Sequence, residues 1–442
     1  MKLGVKDGII FMVGNMVGCG IFMSPEIIGE KVGNELLTLM FWMLGGVVAL
    51  LGAFCYVELG ILFPEAGGEG LYLSDAYHPY VGAVYYLVSI FISFPGATAV
   101  MLEKNVTCLL YGFFVSEAID AESAGGKWLV FGISVGILAV LVAVNILWPK
   151  YTVWISRTSI VFKVLSIGLT LFAGVFCLIR DGVEKIEEKT GEVSKAEPAG
   201  VLYSATLYVY VLLAALWSYD GWNTINLIGG SVKNPKKTFP LVLGISIPVV
   251  MCLYLALNAV YLWAAPAALF AETTTVKFVS ASLVERVFST EFARWVYPVF
   301  VFFAIIGSVN GCFICSAYVT QATAQCNYLP AMFAQETKDK VPAAGVLLQG
   351  ALTVFFAILP LTSISSSASN ILFTVVNMIM WVSYGLAACS VLVFRVKLSD
   401  VKRAFSVPLP VPVLFTLVAS VIVLTGAVSF VLFPTKTNPF AS

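Results

Sequence analysis

Charge is what this chain has least of. Only 11% of its 442 residues are Asp, Glu, Lys or Arg, against about 25% in an ordinary soluble protein. So few charges cannot cover a folded surface in water, which excludes a soluble globular domain. Histidine is almost missing. His78 stands alone, so multi-histidine metal sites are excluded. Neither sign of charge dominates: 25 basic residues balance 25 acidic ones, and no nucleic-acid partner is implied. There is no phosphate loop, no metal-ligand cluster and no convincing Ser/His/Asp set, so neither an enzyme nor a cofactor is expected. The nine cysteines sit mostly inside apolar runs and read as small buried hydrophobes, with no disulfide framework. Cys312 and Cys315 have redox-motif spacing but lie in an apolar stretch. No ordinary cleavable signal peptide is evident: the first apolar run, Gly8 to Ile28, contains Asn15 and is followed closely by more of the same, so it reads as a retained helix.

Long apolar runs are what the chain has in plenty, and 60% of it is hydrophobic. A bilayer span takes about 20 such residues, and only a helix satisfies its own backbone in lipid at this hydropathy. The runs 8–30, 35–62, 80–115, 128–148, 153–179, 202–230, 239–264, 295–325, 342–362, 369–395 and 408–433 predict an all-α membrane protein of about eleven spans, with the lipid bilayer as its solvent. With the N-terminus cytoplasmic, thirteen Lys and Arg fall in inside segments and ten outside, four of the ten in the loop 180–201. That bias favours a cytoplasmic N-terminus.

Two spans are interrupted. The first carries Asn15, then Gly18-Cys19-Gly20, then Pro25. The sixth carries Tyr219-Asp220-Gly221 and Asn223. Glycine also packs membrane helices closely, and Gly14-xxx-Gly18 fits such a face. Two breaks five spans apart point further, to an inverted-repeat transporter with its site at the breaks. A broken helix exposes N–H groups at one new end and C=O groups at the other. The first suits an anion and the second a cation. An α-amino acid presents both. Val17, Gly18, Cys19, Gly20 and Ile21 are therefore candidates for its carboxylate. The carbonyls around Trp217, Ser218 and Tyr219, with Gly221 and Asn223 beside them, are candidates for its ammonium.

Ionisable groups at membrane depth cost at least a few kcal/mol and need a partner or a task. Asp220 either pairs with a cationic substrate side chain or caps the following half-helix; the two roles can coexist. Lys163, in VFKVLS of the fifth span, either replaces a bound cation by donating to carbonyls of the first span or snorkels to an interface. Glu58, ending the second span, reads as interfacial. Glu103 and Lys104 are sequence neighbours, so they face apart on a helix and need separate partners. Trp217 is either a lid over the substrate or packing. Asn310, in Gly307-Ser308-Val309-Asn310-Gly311, is either a pocket group or glue between helices.

These segments resemble the amino acid–polyamine–organocation superfamily, and within it the L-type amino acid transporters, light subunits of heteromeric exchangers. The resemblance covers about residues 5–395. It rests on VGNMVGCGIFMSP (13–25), GAFCYVELG (52–60), GGEGLYL (67–73), LWSYDGWNTIN (216–226), KNPKKTFPLVLGISIP (233–248) and GSVNG (307–311). The first and fourth stretches are the specific ones. The resemblance implies a five-plus-five inverted-repeat fold. Its core spans residues 1–395, with halves of about 8–180 and 202–395, followed by an additional helix and tail over 396–442. It implies that Gly18 to Ile21 form the carboxylate-binding turn, that Trp217 is an aromatic gate, and that Lys163 occupies the place of a sodium ion. YDGWN, with Asp220, is similar to the subgroup that exchanges dibasic amino acids and cystine for neutral ones. The expected function is sodium-independent exchange of neutral and cationic L-amino acids by alternating access at the plasma membrane. A proton-coupled amino acid or polyamine symporter and a non-transporting sensor are the alternatives.

Three features depart from that pattern. Family light chains are joined to a heavy-chain glycoprotein through a cysteine between helices 3 and 4, and the corresponding loop, 116–127, has none. The basic residues usual after helix 8 are replaced by AYVTQATAQCNYLP (317–330). Eleven spans are counted where the family has twelve.

Overall fold

A computed structural model describes residues 3–64, 67–116, 118–120, 123–182, 201–270, 278–361 and 368–432. Helices account for nearly all of them: α1 (Val5–Met16), α2 (Gly20–Val32), α3 (Glu35–Leu62), α4 (Gly68–Ala76), α5 (Pro79–Val88), α6 (Phe94–Leu109), α7 (Tyr111–Val115), α8 (Ala124–Leu147), α9 (Pro149–Asp181), α10 (Val201–Tyr219), α11 (Thr224–Leu227), α12 (Pro235–Ala264), α13 (Pro266–Phe270), α14 (Val279–Glu285), α15 (Tyr297–Gln325), α16 (Ala343–Ile358), α17 (Ala368–Lys397) and α18 (Pro410–Leu432). The described residues contain no strand, only a parallel bridge between Leu3 and Val232.

The ends of the helices follow local chemistry. The Asn34 side chain accepts from the Leu37 amide at 3.0 Å and caps α3, and Ser123 accepts from Gly126 at 3.0 Å to cap α8. Each satisfies one of the donors that a helix start leaves bare. Pro149 and Pro235 open α9 and α12, where the missing N–H costs no intrahelical bond.

Among the described residues nine helices are long and apolar enough to cross a bilayer, and the bent pair α1 and α2 makes a tenth span. The chain is thus a multi-pass integral membrane protein. The expected sixth span falls short of that length because α10 stops at Tyr219 and the chain resumes only as the one-turn α11. α5 and α6 join through a π-helical turn at Ser89–Ser93, with Pro95 in the first turn of α6. Proline has no N–H to give and clashes with the preceding turn, which fits wider winding just before it.

The bundle packs α15 along α9, α12 along α3, and α10 along α2. One expectation is corrected here. Glu58 is not interfacial: it is 2% exposed. Arg395 and Arg403 reach it at 2.8 and 2.7 Å, and the Val407 amide donates to it at 2.8 Å. The chain turns back after α17 and lays these groups over the end of α3, an arrangement with no local trace around residue 58.

Candidate site at the paired helix breaks

The break in the first span is backbone laid bare. α1 stops at Met16, α2 starts at Gly20, and the two axes diverge by 45°. Cys19 stands at the N-cap of α2 without a side-chain cap, so the first amides of α2 have no partner within their own helix. In the sixth span α10 ends at Tyr219 and the chain turns through Gly221 at φ +97°. That backbone region is open to glycine and strained for other residues.

The two breaks touch. A Cβ on Gly20 would lie 2.6 Å from Ser218 Cα, so only glycine lets the backbones come this close. The Ser218 hydroxyl donates to Ser24 Oγ of α2 at 2.9 Å. Tyr254 of α12 ties the ends of both helices together. Its hydroxyl lies 2.8 Å from the Met16 carbonyl and 2.9 Å from the Ser218 carbonyl. One proton serves two acceptors there, and each is the tail of an interrupted helix.

Lys163 of α9 is 6% exposed. It donates to the Gly14 carbonyl at 2.5 Å and to Ser308 Oγ of α15 at 2.8 Å. Its ammonium therefore sits at the carbonyl end of α1, where the helix dipole favours positive charge. Asp220 accepts from the Tyr384 hydroxyl of α17 at 2.7 Å. Trp217 stands edge-on to Phe373 at 5.0 Å and packs against Ala97, Val100, Leu372 and Val376. Val17 and Ile21 are buried.

The remaining candidates point elsewhere. The Tyr219 hydroxyl donates to the Trp42 carbonyl at 3.0 Å, which leaves its backbone as the part at the break. Asn223 donates to Glu69 of α4 at 2.5 Å. Asn310 accepts from Asn145 of α8 at 2.8 Å, linking two spans, while its own amide nitrogen is buried without a protein partner. Tyr254, Tyr384, Ser24 and Ser308 carry the geometry and were not singled out from the sequence. A tyrosine or serine in an apolar run looks like any other, and the contacts of Tyr254 and Tyr384 span 36, 238 and 164 residues.

Comparison with known proteins agrees with the arrangement. Residues 3–442 match the family model described as amino acid permease. The chain is 26% identical over 435 residues to the human b(0,+)-type amino acid transporter 1, covering 97% of this chain and 83% of that one. The mouse protein of that name is 25% identical over 432 residues, with 97% and 83% covered. The rat large neutral amino acids transporter small subunit 2 is 26% identical over 423 residues, with 94% and 74% covered.

Proposed function

The chain belongs to the amino acid permease family, and from that premise we propose that it is a sodium-independent exchanger of neutral and cationic L-amino acids working by alternating access. The backbone contact between Gly20 and Ser218 is the observation that carries the reading, because it brings an uncapped helix start and a helix end together. In this reading the amides of Val17 to Ile21 receive the substrate carboxylate, and the carbonyls of Trp217 to Tyr219 receive its ammonium. Tyr254 holds the two tails in register. Lys163 supplies positive charge where a coupling cation would otherwise sit. Trp217 and Phe373 close over the ligand, and Asp220, steadied by Tyr384, meets a cationic side chain.

The repeat core comprises residues 1–395, and its halves, about 8–180 and 202–395, each open with one interrupted span; α18 lies outside it. The lysine and arginine bias places the N-terminus in the cytoplasm, and the plasma membrane is the proposed location. The names of two relatives, a b(0,+)-type transporter and a transporter small subunit, support the substrate range and the place of a heavy-chain glycoprotein as partner. That partner would be held without a disulfide at loop 116–127, which has no cysteine.

Counterflow into proteoliposomes preloaded with arginine, leucine or cystine tests the reading, run with wild type and Asp220→Ala. A charge-assisted hydrogen bond contributes about 1.5–3 kcal/mol, so arginine uptake falls roughly tenfold or more and leucine uptake falls far less. Equal losses would reduce Asp220 to a structural role. A proton-coupled symporter is the second reading, favoured by the two neutral oxygens that hold Lys163. It requires uptake that needs no internal amino acid and collapses with the proton gradient.

A further inference from the structure

A cavity of about 310 Å³ lies between the ends of α2, α6, α8, α16 and α17. That volume is at the lower end of the roughly 300–1,000 Å³ typical of small-molecule sites. Two carboxylates, Glu26 and Glu103, and two ammonium groups, Lys104 and Lys127, line it. Both carboxylates are anchored. Glu26 accepts from the Val279 amide at 3.0 Å, and Glu103 accepts from Ser369 Oγ at 3.0 Å. Ser134 lines the same space; it is 3% exposed and its hydroxyl has no hydrogen-bond partner. A lone buried hydroxyl costs free energy unless something in the cavity meets it.

The cavity stands directly beyond the helix breaks. Met23 in its wall comes one helical turn after Gly20. Ala99, also in the wall, lies between Ala97 and Val100, against which Trp217 packs. A ligand leaving this space past Trp217 would arrive at the break. We propose that the cavity is a second, outer amino acid site, a waiting position for substrate on the side where α2 ends. Lys104 and Lys127 face the α-carboxylate, Glu26 and Glu103 face the α-ammonium, and Ser134 completes the shell. Only a dipolar ion matches both signs, and the proposal rests on the reading of the inner site at the breaks.

Binding of radiolabelled leucine to the full chain in phosphatidylcholine nanodiscs tests it. The wild type should saturate at two leucines per chain, and Lys104→Gln/Lys127→Gln at one, with thermal melting confirming that the variant folds. Ser134→Ala, a milder change, should weaken the outer site severalfold. Saturation of the wild type at one, falling to none in Gly20→Ala, overturns the outer site and leaves the inner one standing. Stoichiometry indifferent to Gly20→Ala overturns the inner reading instead. Loss of the second leucine when phosphatidylethanolamine replaces phosphatidylcholine assigns the cavity to a lipid headgroup and overturns the amino acid proposal.

Discussion

The two ends of this bundle handle buried charge in opposite ways. Where α3 and α17 finish, carboxylates are saturated. Glu58 holds two arginines and a backbone amide. Glu69, fully buried, accepts from Tyr56 at 3.0 Å, Tyr85 at 3.1 Å and Asn223 at 2.5 Å. Lys397 donates to the Ala76 carbonyl at 2.7 Å. Where α2 and α6 finish, charges of both signs line a cavity, and the Ser134 hydroxyl is unmet. One end is stitched shut across elements distant in sequence; the other keeps room for a ligand. A carrier open to one side requires that asymmetry, and its stitched contacts must break when the other side opens.

The largest expected effect comes from cutting the stitch at Glu58. Glu58→Ala leaves two guanidinium groups facing each other without their acceptor. The loss is about 3–5 kcal/mol, checked by thermal unfolding of the purified protein. Glu103→Ala at the open end should cost about 0.5–1.5 kcal/mol, the price of one hydrogen bond. Equal losses at both ends would dissolve the comparison.

Glu69→Gln is next. An amide keeps the shape but gives up one accepting oxygen, so one of three donors goes unmet, at about 1–3 kcal/mol. The closed end should loosen, and hydrogen exchange across Gly68–Ala76 should rise about tenfold. Unchanged exchange would mean that Glu69 does not hold that end.

Tyr254→Phe, midway between the ends, should have the smallest effect on stability, about 1 kcal/mol. Its mark should fall on the site: apparent affinity for leucine weakens severalfold while thermal unfolding shifts little. A variant that melts early but binds normally would make Tyr254 a strut only.

Much of this was legible in the sequence because lipid leaves few options. Apolar runs must be helices, so the spans appear at their expected places, and the glycines of the two breaks mark where the helices stop. The sixth span was read too long, since 202–230 is apolar throughout while the helix ends at Tyr219. What could not be read is what closes over distance. Glu58 resembled an interfacial residue because its arginines lie 337 and 345 residues away. Asn223 looked like a site group because it stands beside the break, yet its side chain serves Glu69. The cavity is assembled from five helices, none of which carries a motif for it.

The central claim is that two interrupted helices meet to hold an amino acid. An electron cryomicroscopy map of the full chain with saturating leucine tests it most directly. Ligand density is predicted between residues 17–21 and 217–221, carboxylate toward the start of α2 and ammonium toward the end of α10. A map with that gap filled by protein side chains, and leucine bound elsewhere or not at all, would contradict the account.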